Sequence, residues 1–265
     1  MEAAEMKNEI ARAISKVDLT PQYHVEVLGK KIAVPLVYAD ASAVMLFFTA
    51  NANAVNKLLP NKLSSIKVWP GKSLFAVNFF NYRDSPAGPY TEFTFSLPVQ
   101  INARLKVPVL PILFDNFFSN VGYFVTMMGA DTDLGIKHIE QIIPYPLAPG
   151  KITTLVSENS GIIRCSIAED GNEIITADLK VPKGLSLSQK SYNTLYAHDN
   201  KLFNVKLKVT AYSGMLFRGF SSIIFREHKI AGIFKELNVS DKPVFAVYYK
   251  QATEIASAPQ ILWNL

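Results

Sequence analysis

Phe93-Thr94-Phe95-Ser96-Leu97-Pro98-Val99-Gln100-Ile101-Asn102-Ala103-Arg104-Leu105-Lys106-Val107 decides the fold class of this chain. Every second residue is apolar, and nearly all those between are polar. Period two over this length is the pattern of a β-strand with one face in a core and the other turned outward or into a polar cavity. Pro98 has no N–H for a ladder, so the strand is expected to lie at an edge or to bend there. Shorter alternations recur at Ile175-Ala177-Leu179-Val181 and at Phe203-Val205-Leu207-Val209-Ala211, and Pro243 to Tyr249 is rich in β-formers.

Turn-forming clusters separate these runs: Ser85-Pro86-Ala87-Gly88-Pro89, Pro144-Tyr145-Pro146, Pro149-Gly150 and Asp170-Gly171. Helical spacing occurs at Met6, Ile10, Ala13 and Ile14, before Pro21, and again from Asn51 to Leu59, where Pro60 ends it. The expectation is a mostly β chain with few helices, α+β in that sense. One domain covers residues 1–265 as a curved antiparallel sheet or barrel-like body, with residues 1–20 as a helical extension. No repeat or linker divides it.

Composition narrows the function classes. The 27 basic and 22 acidic residues leave a charge of +5 without any basic run, so a nucleic-acid partner is not expected. The single cysteine, Cys165, excludes an intrachain disulfide and a cysteine-based zinc site, and its bland reading is a small core residue. A reducing, cytoplasmic setting is the simplest reading. Charges at Glu2, Glu5, Lys7, Glu9, Arg12 and Lys16 leave no apolar segment of a signal peptide. The apolar block Val44-Met45-Leu46-Phe47-Phe48 falls far short of the roughly 20 residues that cross a bilayer, so no membrane partner is expected. The acceptor pattern at Asn238-Val239-Ser240 is read as chance.

Phosphate-binding glycine loops, nucleophile elbows and zinc-protease motifs are absent from the sequence. His24, His138, His198 and His228 are dispersed, so no metal and no cofactor is inferred. Asp131-Thr132-Asp133 reads as a capped turn in preference to a cation site.

The informative segment runs from Met127 to Ile139. Its Gly129 and Lys137 lie eight residues apart, with Asp131 between them. Here the sequence resembles the acetoacetate decarboxylase family, in which a glycine is followed by Arg-Glu and then by a reactive lysine, often with a second lysine after it. Three further blocks are similar to that family in the same order: Ala54-Val55-Lys57-Pro60, Tyr90-Thr91-Glu92, and Phe225-Arg226-Glu227-His228-Lys229-Ile230-Ala231. The resemblance implies that Lys137 is a Schiff-base nucleophile and Glu92 an active-site carboxylate. Around them, Tyr90, Met128, His138 and Asn78 would line the pocket or tune the lysine.

Such chemistry needs a neutral amine to attack a ketone. A free lysine has a pKa near 10.4, leaving about one molecule in two thousand neutral at pH 7. Desolvation or a neighbouring cation must lower it, and acetoacetate decarboxylase is itself the standard example of both. Leu134, Ile136 and Ile139 are candidates for an apolar wall around Lys137. The chain departs from the family pattern at several places. Ala130 replaces the arginine of Arg-Glu, His138 stands where the second lysine would be, Asn78 falls at a family carboxylate, and Ala41 at an N-terminal arginine. His138 is read as a tolerated replacement in preference to a tuned partner.

What the resemblance implies is a Schiff-base lyase acting on a small oxo acid, decarboxylating acetoacetate or a related β-keto acid. An aldolase or dehydratase relative could use the same lysine. A non-catalytic barrel binding a small apolar ligand is the alternative from another class, and burial of Lys137 discriminates between them. The family also implies a homo-oligomer, which unpaired β edges would suit.

Overall fold

The computed structural model describes residues 3–102 and 120–265. Ala103, Leu105 and Val107 of the long alternating run lie outside the described residues. In chain order the elements are α1 (Ala3–Ile14), the hairpin β1 (Tyr23–Val27) and β2 (Lys30–Val34), β3 (Leu36–Asn51), α2 (Ala52–Leu58), β4 (Leu63–Ser65) and β5 (Lys67–Trp69). Then come β6 (Lys72–Asp84), β7 (Tyr90–Ile101), β8 (Val121–Ala130), α3 (Asp133–Ile142), β9 (Ile152–Asn159), β10 (Ile162–Glu169) and β11 (Asn172–Lys180). The chain continues through β12 (Ser186–His198), β13 (Lys201–Leu216), β14 (Phe220–Phe225), α4 (Gly232–Glu236), β15 (Phe245–Ala256) and β16 (Gln260–Asn264).

Seven strands close into a barrel in the order β7-β8-β12-β13-β15-β3-β6, and β6 pairs with β7 to complete the ring. Neighbours are antiparallel except β8 and β12, which run parallel where Tyr123 faces Thr194. A separate four-stranded sheet, β14-β11-β10-β9, covers part of the barrel wall.

This second sheet explains why the barrel strands are apolar on both faces. Along β3, Ala43, Met45 and Phe47 enter the barrel core, whereas Val44, Leu46 and Phe48 enter the core between barrel and sheet. The apolar block at 44–48 is therefore a doubly buried strand. Cys165 lies in the intersheet core, fully buried.

The alternation in β7 divides in the same way. Phe93, Phe95, Leu97 and Val99 pack in the intersheet core, and Glu92, Thr94 and Ser96 turn into a cavity inside the barrel. The polar-cavity alternative of the period-two reading is the one realised. Pro98 departs from expectation, because it lies opposite Tyr123 of β8 within the barrel wall. On its other flank, β6 pairing ends at Ser96 and β4 pairing begins at Val99. Pro98 thus sits where the flanking strand changes, a step that tolerates the missing donor.

Candidate active site

The barrel holds a cavity of about 90 Å³, space for about three waters or one ligand of a few heavy atoms. Its wall is mostly aromatic and aliphatic. Its polar groups come from β3 (Tyr38), β6 (Asn78, Tyr82), β7 (Glu92, Thr94, Ser96), α3 (His138) and β15 (Glu254), with Tyr145, Tyr192, Thr194 and Tyr249 around them. Among the described lining residues there is no lysine or arginine.

Local chemistry sets α3 against this cavity. Thr132 caps the helix, its Oγ1 accepting from the Gly135 N–H at 3.0 Å. Asp131 accepts from both the N–H and the hydroxyl of Thr91, each at 2.8 Å, which fastens the start of β7 to the turn before α3. The Asp131-Thr132-Asp133 segment is thus a helix cap. Gly135 permits close packing, since a Cβ there would stand 3.0 Å from the Tyr90 ring and 2.8 Å from Thr132 Oγ1.

Helical phase then decides which side chains face the cavity. Gly135, His138, Ile139 and Ile142 form the buried stripe of α3, at the spacing of one helix face. His138, 2% exposed, meets the Tyr38 hydroxyl through Nε2 at 3.2 Å. Lys137, one residue earlier, projects from another face. Its side chain is 46% exposed and Nζ pairs with Glu140 at 2.5 Å. Leu134 and Ile136 are half-buried, and Ile139 is buried on the cavity side. The structure thus brings Glu92, Asn78, Met128 and His138 to the cavity, with Tyr90 directly behind Glu92, and leaves Lys137 outside.

Glu92 accepts a hydrogen bond from Tyr90 at 3.0 Å, and Glu254 accepts a long one from Tyr82 at 3.4 Å. Both carboxyls are 5% exposed. Burial is the largest influence on each, lifting Glu92 to about 8 and Glu254 to about 7, and each outweighs its tyrosine hydrogen bond. The charge of Glu254 pushes Glu92 further up. Burial also drives His138 down to about 4, so its imidazole is neutral at pH 7. Tyr38, Tyr82 and Tyr90 are raised well above the usual phenol range by burial and then by these carboxylates. Their rings pack together, Tyr38 on Tyr82 at 4.6 Å and Tyr82 on Tyr90 at 5.0 Å between centroids.

Glu254 is the functional candidate absent from the sequence reading. The available signal is a charged residue just beyond the late β-rich run, on the strand that continues it. Register shifts on both sides of Ala252 break the alternation of β15, so its facing cannot be counted from the sequence.

The fold is a closed seven-stranded β-barrel with two buried carboxyls in its internal cavity. The acetoacetate decarboxylase (ADC) family model matches residues 20–254, and the chain belongs to that family. A search of curated proteins finds no significant match. Among solved structures, an acetoacetate decarboxylase is similar with a TM-score of 0.63 at 15% identity, over 87% of this chain and 90% of that one. The acetoacetate decarboxylase of Legionella pneumophila gives 0.59 at 13% identity, over 96% of each chain. The enduracididine biosynthesis enzyme MppR, complexed with the condensation product of pyruvate and imidazole 4-carboxaldehyde, gives 0.51 at 10% identity over 86% and 89%. At these identities the likeness is one of fold.

Proposed function

We propose that this chain is an enzyme that catalyses proton transfer on a small uncharged carbonyl compound held in the barrel, with Glu92 as acid and Glu254 as base. The observation that carries this reading is the pair of buried carboxyls with pKa values near 8 and 7 in a cavity whose described lining holds no cation. Groups with such values are suited to exchange protons near neutral pH. Burial favours the protonated form of both carboxyls, and Glu92, which also feels the charge of Glu254, holds its proton more tightly than Glu254 does.

The step balances between them. The Glu254 carboxylate takes a proton from the carbon beside the carbonyl, and the C–H electrons form the enol double bond. The carbonyl π electrons move onto oxygen, which takes the Glu92 proton. Tyr90 holds Glu92 in place, and Tyr82 does the same for Glu254. Exchange of the Glu254 proton with solvent, its return to carbon and return of the enol hydroxyl proton to Glu92 complete an exchange, or an isomerisation where the proton returns to the other face.

The second reading is Schiff-base decarboxylation of acetoacetate or a related β-keto acid on Lys137. Family membership and the Gly129-to-Lys137 spacing favour it. It requires the Lys137 amine to leave Glu140, enter the barrel and lose its proton. An oxo-acid carboxylate would also have to be accommodated beside Glu92 and Glu254 without a lining cation. An aldolase or dehydratase relative on Lys137 meets the same obstacles. A barrel that merely binds an apolar ligand is the reading that an exposed Lys137 favours over a Schiff-base enzyme, and it fits the aromatic lining; it leaves the two buried acid groups without a role. Cytoplasmic placement and a homo-oligomer remain part of the proposal, the latter checked by light scattering.

The test is deuterium exchange into the methyl groups of acetone in D2O, followed by proton NMR. Wild type is expected to exceed the buffer rate, and Glu92→Gln to lose about a hundredfold or more of that acceleration. A wild-type rate equal to buffer would overturn the reading.

A further inference from the structure

An outer pocket of about 260 Å³ adjoins the inner cavity, and among the described residues Met45, Tyr123, Tyr192 and Tyr249 line both. The order of residues along the strands makes these four a layer between the two spaces. On β3, Phe47 lines the outer pocket, Met45 both, and Tyr38 the inner cavity. The same order holds on β12 for Lys190, Tyr192 and Thr194, and on β15 for Val247, Tyr249 and Glu254. Lys190, Tyr192 and Thr194 alternate with period two and so share one face of β12. Lys183, Gly184 and Ser186, all exposed, line the outer pocket, which therefore reaches the protein surface.

Members of this layer differ in how readily they yield. Tyr192 and Tyr249 share a hydrogen bond between their hydroxyls, and the Tyr123 ring stands edge-on to that of Tyr192 with 5.6 Å between centroids. Met45 is the fourth member, 9% exposed, and lies across from Asn78 on β6 and Val247 on β15. Its side chain is unbranched and turns about three bonds, whereas each tyrosine is a rigid ring. Truncating Met45 at Cβ removes its part of the layer and joins the inner space of about 90 Å³ to the outer one of about 260 Å³.

We propose that Met45 sets the length of ligand this barrel accepts, so that the wild-type substrate is a short methyl ketone of acetone size. Without the Met45 side chain, the cavity and the outer pocket become one channel that takes an unbranched methyl ketone with a longer alkyl tail. The tail would lie toward Phe47 and Phe245, whose rings stack at 4.3 Å in the lining of the outer pocket. The carbonyl end at Glu92 and Glu254 rests on the proton-transfer reading given above. Which ligands enter is read separately from turnover.

The experiment compares acetone with 2-heptanone, whose seven-carbon chain is too long for the inner cavity, in wild type, Met45→Ala and the milder Met45→Val. Deuterium exchange at the methyl beside the carbonyl is followed in D2O, each ketone relative to its buffer rate. In H2O, NOEs are recorded from that methyl to the ring of Phe80, which lines the inner cavity and not the outer pocket. In wild type 2-heptanone is expected to be accelerated at least about tenfold less than acetone and to give no NOE to Phe80. Met45→Ala is expected to raise the ratio of 2-heptanone to acetone exchange about tenfold or more and to bring up the NOE. Met45→Val should do the same to a smaller extent, and it decides the matter if Met45→Ala does not fold. Equal acceleration of the two ketones in wild type, a wild-type NOE from 2-heptanone, or a ratio and NOE unchanged in the folded variants would overturn the role of Met45. An NOE that appears in the variants without exchange of either ketone would leave that role standing and remove the proton-transfer reaction. Acetone exchange with no gain for 2-heptanone would do the reverse.

Discussion

Lys137 and His138 are consecutive on α3 and face different surroundings. The Lys137 amine is held by Glu140 at the surface, and the His138 ring is buried 3.2 Å from the Tyr38 hydroxyl inside the barrel. One residue of helical phase, about 100°, separates a solvated ion pair from a cavity wall. The lysine marked by the family-like spacing and the residue that faces the cavity are therefore neighbours on the helix, not one residue.

Lys137→Ala is expected to leave stability nearly unchanged, since an exposed ion pair three residues apart on a helix contributes a few tenths of a kcal/mol. Borohydride reduction in the presence of acetoacetate is expected to give no adduct on Lys137, read by peptide mass. A substrate-dependent adduct there would establish the Schiff-base reading.

Stability should fall as pH rises through the neutral range. Glu92 and Glu254 bind their protons more tightly folded, near 8 and 7, than unfolded, near 4.3. Between those values the native state holds more protons, so unfolding free energy decreases with pH from about 5 to 8. Glu92→Gln removes part of this slope, and its Tm relative to wild type should be higher at pH 9 than at pH 5. A difference independent of pH would contradict the burial of an ionisable group there.

Asp40 has the opposite sign. Burial works against its ionisation and is outweighed by hydrogen bonds from Arg83, Lys7 and Gln251, which hold it down to about 2. Its contribution is present above the unfolded carboxylate range near 4 and is lost as pH falls toward 2. Because Lys7 belongs to α1, Asp40→Asn should loosen that helix first, seen as faster amide exchange at residues 6–12 with the barrel amides unchanged. Unaltered exchange in α1 would count against Asp40 as its tether.

Gly129 occupies a place where a side chain does not fit. A Cβ there would lie 2.4 Å from the ring of Phe93, which is fully buried in the intersheet core. Gly129→Ala is expected to destabilise by about 1–3 kcal/mol through overpacking, measured by denaturant unfolding. A neutral substitution would mean that β7 and β8 can separate locally.

The barrel was legible because its strands advertise themselves twice. In β7 the period-two pattern announces the strand, and its polar partners Glu92, Thr94 and Ser96 announce a polar cavity. The second sheet was harder to place, since strands such as β10 and β11 carry alternation without saying which face they cover. In the site, Glu92, Tyr90, Asn78, Met128 and His138 could be found through the spacing of the family-like blocks. The outward direction of Lys137 could not. Gly135 weakens the helical signal of α3, and Leu134, Ile136 and Ile139 allow competing phases until the Thr132 cap fixes one. Glu254 escaped because two register shifts in β15 scramble the parity that would have turned it inward.

The central claim is that chemistry in this barrel belongs to Glu92 and not to Lys137. The most direct measurement is the rate of acetone methyl exchange in D2O for wild type, Glu92→Gln and Lys137→Ala side by side at pH 7. The account predicts acceleration that Lys137→Ala keeps within about twofold and Glu92→Gln reduces about a hundredfold or more. Acceleration abolished by Lys137→Ala and retained by Glu92→Gln would contradict it.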